Sequence, residues 1–382
     1  MFIVSNNTIV PDIRKQDLND SLVAIYGLRE EAVAYSAVIA LYDMVRQNFV
    51  PIKLFEIVIK QSISHKPLFL SNENVSSIFV LISEAYYVLE DYQNALESSN
   101  EAINWNPSDA LAYNKKGLAL TYLKRDDEAV ECFDKVLDID PGLASAWMHK
   151  GNVLDFSGHH KEALACYDKT LEIDPHYLTY LTSINRGGCL YNMGKYKEAI
   201  ECFDKVLLSL GDITNLLEIL ELNEGERLLY HIPSYLSHTY RLKGKCLSKL
   251  GKHEEAMRCI DKALEIDPND TNTLYEKGNV LFKLGKYEAA INAYRELIKI
   301  YPSAWLDVWI RKAALHALLE NYEEAVDCYD RILESSDLES SDLAKVWFLK
   351  GQTLIRLARS NNAQYCLDKA MKLGFGSLKK KN

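Results

Sequence analysis

Alanine recurs along this chain at a nearly regular interval, and the residues around each alanine recur with it. The intervals cluster near 34 residues, and the alanines are Ala95, Ala129, Ala163, Ala199, Ala256, Ala290, Ala325 and Ala363. A segment of this length that is copied many times packs on its sequence neighbours and does not surround a single core. The repeat therefore predicts an array of small units, and the length of 382 residues does not predict a number of globular domains.

Alignment on these alanines gives eight units, which begin at Ser76, Ala110, Ala144, Tyr180, Ser237, Thr271, Leu306 and Ala344. Apolar residues recur at helical spacing in two stretches of each unit, helix A and helix B, separated by a short turn. Position 8 of a unit is small, position 20 is the alanine, and position 24 is bulky in most units. The pattern predicts an antiparallel helix pair that is in contact at the small residue. Several units end at a proline, namely Pro107, Pro141, Pro175, Pro268 and Pro302.

With a large residue near the start of helix A, the pattern resembles the tetratricopeptide repeat family. These large residues are Phe79, Tyr113, Trp147, Tyr240, Trp309 and Trp347. The resemblance covers residues 76 to 375. It implies an all-α fold, a right-handed α-solenoid or superhelix of stacked helix pairs. It also implies a non-enzymatic protein that binds protein or peptide partners in a concave groove lined by helices A.

Departures from the repeat divide the chain into five regions. Residues 1–75 are predicted to form an N-terminal helical cap, with a degenerate repeat around Ala32 as one alternative; residues 76–211 form units 1–4, and residues 237–375 form units 5–8. Between them, residues 212–236 are an inserted helical segment with an apolar helix, a break at Asn223–Gly225 and an aromatic stretch that contains Pro233. Residues 376–382 are a basic tail.

The net charge of −10 disfavours nucleic acid as a partner, because phosphate binding requires a basic surface. The N-terminus has no basic region followed by a long apolar one, and no stretch reaches the roughly 18 apolar residues of a spanning helix. We therefore expect a cytoplasmic protein without a membrane partner.

No motif for catalysis, cofactor binding or metal binding is found, so none of these sites is predicted. Six of the eight cysteines occupy position 23 of their units, while Cys189 and Cys246 occupy position 10. We interpret all of them as buried apolar thiols. The histidines His159, His160 and His253 lie at turns and are interpreted as solvated.

The face of helix A that points away from helix B is the predicted binding surface. Its mixture of amide, charged and apolar residues suits an extended segment of a partner, and Arg241 with Lys245 form a basic stripe there. The predicted groove residues are Asn114, Met148, Asn152, Ile184, Asn185, His238, Arg241, Lys245, Tyr275, Asn279, Phe282 and Lys345.

Some members of the family hold the C-terminal carboxylates of heat-shock chaperones with a clamp of lysine, arginine and asparagine. Only Asn152 and Asn185 match this pattern here, since Met148, His238 and Leu242 stand where the clamp has cations. The sequence therefore disfavours a chaperone clamp.

The favoured hypothesis is an adaptor that binds a protein segment in its groove, with the 212–236 insertion as a specificity element. One alternative is a structural array that assembles end to end. Another is an autoinhibited regulatory module that covers its groove with its insertion or its N-terminal segment. Because only residues 374–382 remain after Leu373, a further hypothesis is homo-oligomerisation through an uncapped C-terminal end.

Overall fold

A computed structural model describes residues 4–5, 8–9, 71–175, 179–220, 227–301, 306–334 and 338–375, without the side chains of residues 4–5, 8–9, 179, 211–220 and 227–231. Near the N-terminus, strands β1 (Val4–Ser5) and β2 (Thr8–Ile9) pair antiparallel. The rest of the cap predicted over residues 1–75 lies outside the described residues as far as Leu70. The basic tail at residues 376–382 also lies outside them.

Sixteen helices follow in the described part of the chain, two for each of the eight predicted units. They are α1 (Asn72–Val88), α2 (Tyr92–Trp105), α3 (Ala110–Tyr122), α4 (Asp126–Ile139), α5 (Ala144–Phe156), α6 (His160–Ile173), α7 (Thr179–Asn192), α8 (Tyr196–Leu220), α9 (Arg227–Lys249), α10 (His253–Ile266), α11 (Thr271–Lys283), α12 (Tyr287–Ile300), α13 (Leu306–Leu318), α14 (Tyr322–Leu333), α15 (Ser340–Arg356) and α16 (Ser360–Lys372). The odd-numbered helices are helices A and the even-numbered ones are helices B. This confirms the prediction of an all-α solenoid built of helix pairs.

The chain divides into two compact units, Met1–Cys189 and Leu190–Asn382, here called the N-terminal and C-terminal halves. Helices contact their neighbours in chain order within each half. Helices A also contact the helices A of adjacent repeats, as α1 does with α3 and α9 does with α11. None of the helices in the described residues is long and apolar enough to cross a membrane.

The recurring alanine is buried in every unit, at 2% exposure or less. It lies at the start of helix B, where the two helices of a pair come together. The close approach of the two helices also explains the small residue at position 8. A Cβ atom added to Gly117 would stand 2.8 Å from the Phe133 ring, and one added to Gly151 would stand 2.8 Å from the Tyr167 ring. The predicted contact between the small and bulky positions is confirmed. All eight cysteines are also buried, as expected for apolar thiols.

Helix A ends, before the turn of most repeats, at a residue whose backbone has the left-handed conformation with positive φ. Glycine occupies this position at Gly194, Gly251 and Gly285, with φ of 76°, 78° and 71°. In other repeats a residue with a side chain adopts the same conformation, as at Lys124 and Ala358 with φ of 61° and 57°. The tertiary contacts of the helix pair therefore impose the turn even where glycine is missing.

The insertion at residues 212–236 extends two helices of the array. Helix B of repeat 4 continues to Leu220, and helix A of repeat 5 already begins at Arg227, so that Pro233 lies inside α9. The sequence pattern predicts a separate inserted segment here. The structure instead makes most of it continuous with the helices on either side.

An ion pair recurs between consecutive repeats. A lysine or arginine at position 7 of helix A contacts an aspartate at position 25 of the preceding helix B; the pairs are Lys150–Asp134 (2.5 Å), Arg186–Asp168 (2.7 Å), Lys243–Asp204 (2.5 Å), Lys277–Asp261 (3.2 Å) and Lys350–Asp330. The side chains of these aspartates are 46–58% exposed, and each lies against the next repeat and helps to fix its register.

Substitution of the small residue at a helix contact should destabilise the array. Alanine favours a helix over glycine by about 1 kcal/mol, but in Gly117→Ala the new methyl group overlaps the Phe133 ring and overpacking costs about 1–3 kcal/mol. We expect a lower free energy of unfolding, measured by urea denaturation. Gly188→Ala is the matched control, because a Cβ atom at this helical glycine meets no atom within 4 Å. A Gly117→Ala variant as stable as Gly188→Ala would contradict the packing argument.

The recurring ion pair is replaced by two cations between repeats 6 and 7. Arg295 stands at position 25 and Lys312 at position 7 of the following repeat. Arg295→Asp should create the missing pair and raise the free energy of unfolding by up to about 1 kcal/mol, the usual limit for an exposed pair. Arg295→Ala is the control, since it removes the repulsion without adding a partner. Equal stability of the two variants, or a gain that persists at high salt, would argue against an ion pair.

Candidate functional site

The predicted groove residues divide between the two halves of the chain. The A-helix face of the N-terminal half carries Asn114, Met148, Asn152, Ile184 and Asn185, on α3, α5 and α7. The A-helix face of the C-terminal half carries the remaining residues, on α9, α11 and α15.

Three predicted groove residues of the N-terminal half are buried. Asn114, Met148 and Ile184 are 7%, 4% and 4% exposed, because helices A pack on one another as well as on helices B. The Asn114 amide oxygen accepts a hydrogen bond from Nδ1 of His149 at 3.2 Å. Burial, and to a lesser degree Lys115, lower the pKa of His149 to about 4, so that this ring is neutral. These side chains belong to the packing between repeats and are not on the open surface, contrary to the expectation that they line the groove.

Asn152 of repeat 3 and Asn185 of repeat 4 are half-buried and contact each other. The Asn152 carboxamide oxygen accepts hydrogen bonds from the Asn185 Nδ2 at 2.9 Å and from the hydroxyl of Tyr167 at 2.9 Å. Tyr167 is the bulky residue beneath Gly151. The structure thus brings together two residues that the sequence predicted to bind a partner's backbone. It also shows that the carboxamide oxygen of Asn152 already accepts a hydrogen bond from Tyr167, a residue of the contact between helices A and B.

Exposed aromatic residues lie where helices A of the N-terminal half end. The rings of Tyr92 and Tyr122 stack with centroids 4.5 Å apart, and Tyr87 meets Tyr122 edge-on at 5.3 Å. Tyr122 is 51% exposed and Phe156 is 70% exposed, with the Lys124 ammonium 4.5 Å above the Phe156 ring. These residues are not among the predicted groove residues, although aromatic residues recur in the sequence at successive turns and could have indicated such a surface.

In the C-terminal half, the basic stripe is paired with two carboxylates, one on the N-cap residue of α11 and one on α11 itself. Nε of Arg241 lies 3.5 Å from Asp270, while Nζ of Lys245 lies 3.7 Å from Glu276 and 5.0 Å from the centroid of the Tyr191 ring. Arg241 also donates a hydrogen bond to Nδ1 of the exposed His238 at 2.9 Å. The stripe exists, but its charge is balanced by two residues that sequence reasoning missed.

A second polar cluster continues this face on repeats 6 and 7. The Tyr275 hydroxyl donates to the Asp307 carboxylate, which also accepts from Nε of Arg311 at 2.6 Å. Burial opposes ionisation of Asp307, but the hydrogen bonds from Tyr275 and Arg311 outweigh it and lower the pKa of this carboxyl. Asn279 accepts from the buried Tyr294 at 2.8 Å, as Asn152 does from Tyr167.

Three predicted residues of this half are exposed to solvent, namely His238, Phe282 and Lys345. Phe282 is 44% exposed, and the centroid of its ring lies 5.7 Å from that of Tyr287. Lys345 is exposed at the start of α15. Because Tyr275, Asn279 and Phe282 follow one another at helical spacing, they form one face of α11.

Within the described residues, one group of three side chains has the composition of a metal site: Asp155, His160 and Cys189. It lies at the turn of repeat 3. The interpretation of His160 as a solvated turn residue was wrong, because its Nδ1 lies 2.6 Å from the Asp155 carboxylate and its side chain is only 28% exposed.

Comparison with known proteins agrees with this geometry. Family models described as tetratricopeptide repeat match residues 110–143, 144–177, 239–270 and 271–303, and also 76–109, 183–209, 306–337 and 344–373. Among curated proteins, no relative matches the chain.

Two solved structures share the fold. PilW, described as a widely conserved type IV pilus biogenesis factor, is 22% identical, with a TM-score of 0.51 over 60% of this chain and 95% of its own. A tetratricopeptide repeat protein from Parabacteroides merdae is 15% identical, with a TM-score of 0.50 over 75% of this chain and 97% of its own. The matched repeats span more than half of the sequence, and the chain therefore belongs to the tetratricopeptide repeat family.

Proposed function

We propose that the chain is a non-enzymatic scaffold that binds an extended segment of a protein partner on its A-helix faces. The observation that carries the proposal is the face of α11, where the exposed Phe282 follows Tyr275 and Asn279 at helical spacing. A large apolar side chain among polar groups is typical of a peptide-binding surface, since burial of the ring supplies affinity and the polar groups fix orientation.

The paired charges on this face support the same function. Arg241 and Lys245 are held in place by Asp270 and Glu276, so their cationic groups are ordered before a partner arrives. A carboxylate of the partner can approach the same cations, and the cost of ordering two long side chains has already been met. The amide of Asn279 stands one turn before Phe282, where it can bond to the backbone of an extended segment.

The insertion is the proposed specificity element of this scaffold. It lengthens α8, and it lengthens α9 on the N-terminal side of the Arg241–Lys245 stripe, which α9 itself carries. It therefore adds helical surface next to the stripe. The rest of the array has no counterpart of this length in the described residues.

Peptide selection followed by affinity measurement tests the proposal. Extended peptides from a display library are selected on the purified full chain, and their affinities are measured for Phe282→Ala and for the wild type. Truncation of a central apolar contact costs more than about 1 kcal/mol, so we expect a loss of about fivefold or more.

Leu208→Ala is the matched control, because Leu208 is 69% exposed on helix B of repeat 4. We expect its affinity to equal that of the wild type. Failure to select any peptide, or equal losses in the two variants, would reject binding on the A-helix face.

A further inference from the structure

The turn of repeat 3 differs in chemistry from the other turns. In three repeats the residue at position 12 of helix A meets the residue at position 17 of helix B, and both are aromatic. These pairs are Tyr87–Tyr92, Tyr191–Tyr196 and Phe282–Tyr287, with ring centroids 5.7, 5.4 and 5.7 Å apart. In repeat 3 the same positions hold Asp155 and His160, joined by a 2.6 Å contact between Oδ1 and Nδ1. Two apolar partners are thus replaced by two metal-ligating groups at once.

A third ligating group reaches this turn from the next repeat. Cys189 stands at position 10 of repeat 4, where repeats 2, 3 and 6 have Ala119, Val153 and Val280. Its side chain is fully buried, and the Sγ atom donates to the backbone oxygen of His160 at 3.2 Å. The ligand atoms of Asp155, His160 and Cys189 all lie within 4.8 Å of one another.

Simple packing does not account for this combination. Aromatic rings fill the same space at positions 12 and 17 of repeats 1, 4 and 6, and position 10 accepts an aliphatic side chain in repeats 2, 3 and 6. The fold therefore has no need for a thiol, an imidazole and a carboxylate at this point. The imidazole and the carboxylate are partly exposed, at 28% and 20%, while the thiol is buried behind them. The group is therefore reachable from solvent on one side and closed on the other.

We propose that Asp155, His160 and Cys189 bind a single transition-metal ion of the Zn²⁺ type. One sulfur, one nitrogen and one oxygen donor suit Zn²⁺, whereas Ca²⁺ and Mg²⁺ prefer sites built of oxygen. Bonds of about 2.0–2.3 Å to a tetrahedral ion place its ligands roughly 3.5 Å apart, so that the observed group needs only small side-chain shifts to close on the metal.

Three protein ligands leave one coordination position for water or for a side chain of a partner. Metal binding releases the thiol proton of Cys189 to solvent, and it replaces the proton between Nδ1 of His160 and Asp155, so that the coordinated ring keeps its proton on Nε2. The ion joins the two helices of repeat 3 to helix A of repeat 4. The ion would therefore stabilise the N-terminal half, and its open coordination position would offer a binding point for a partner.

Titration of the full chain tests this proposal. After removal of metal with a chelator, Zn²⁺ binding is measured by calorimetry and Co²⁺ binding by the thiolate-to-cobalt charge-transfer absorption, which reports a sulfur ligand directly. We expect one equivalent of either ion and a rise in the melting temperature of the wild type. Cys189→Ser should abolish the charge-transfer band, and His160→Gln and Asp155→Asn should weaken binding by at least about tenfold.

Cys246→Ser is the matched control. Cys246 is buried at the same repeat position, but among the described residues it belongs to no group of three ligands, and the corresponding turn holds Tyr191 and Tyr196. Its metal affinity should equal that of the wild type. The partly exposed His160→Gln serves if Cys189→Ser does not fold, as judged by circular dichroism. Absence of binding, or equal affinity in the wild type and His160→Gln, would overturn the proposal and assign any bound metal to other thiols.

Discussion

Close approach of helix A to helix B within each repeat is the contact on which the rest of the array depends. It requires a small residue at position 8, because the ring or branched side chain at position 24 occupies the space of a Cβ atom, as between Gly151 and Tyr167. The buried alanine at position 20 allows the same approach from helix B. Since each repeat buries its apolar face only against its own pair and its neighbours, a single overpacked contact affects a local region and its adjoining interfaces.

Polar residues between repeats add register to this apolar packing. The cation at position 7 and the aspartate at position 25 of the preceding repeat recur at five interfaces, each partly exposed and each of small energy. The two tyrosines Tyr167 and Tyr294 show a further link, because each donates its hydroxyl to an asparagine on the A-helix face. The core and the proposed binding surface are therefore connected by the same side chains.

The proposed functions rest on differences between the repeats. The C-terminal half presents balanced charges and an exposed phenylalanine, which supports binding of an extended segment. The turn of repeat 3 presents a thiol, an imidazole and a carboxylate in place of apolar partners. Both features arise at positions that are not needed for the helix contact, where the sequence is free to change without loss of the fold.

The sequence by itself determined the family, the helix pairs and the burial of the cysteines. These properties depend on local periodicity and on contacts within 34-residue units, which the sequence displays directly. It also identified the basic stripe of Arg241 and Lys245, and the pairing of Asn152 with Asn185 falls within the predicted groove set.

Only the tertiary structure decided which groove residues are open. Asn114, Met148 and Ile184 are buried because helices A pack on one another. The charge of the stripe is balanced by Asp270, the N-cap of α11, and by Glu276 on α11. It likewise brought Cys189 to Asp155 and His160, since their distance in sequence becomes a contact only when repeat 4 stacks on repeat 3. Stacking sets these side-chain positions, and the pattern of one repeat contains no information about the side chain that its neighbour places against it.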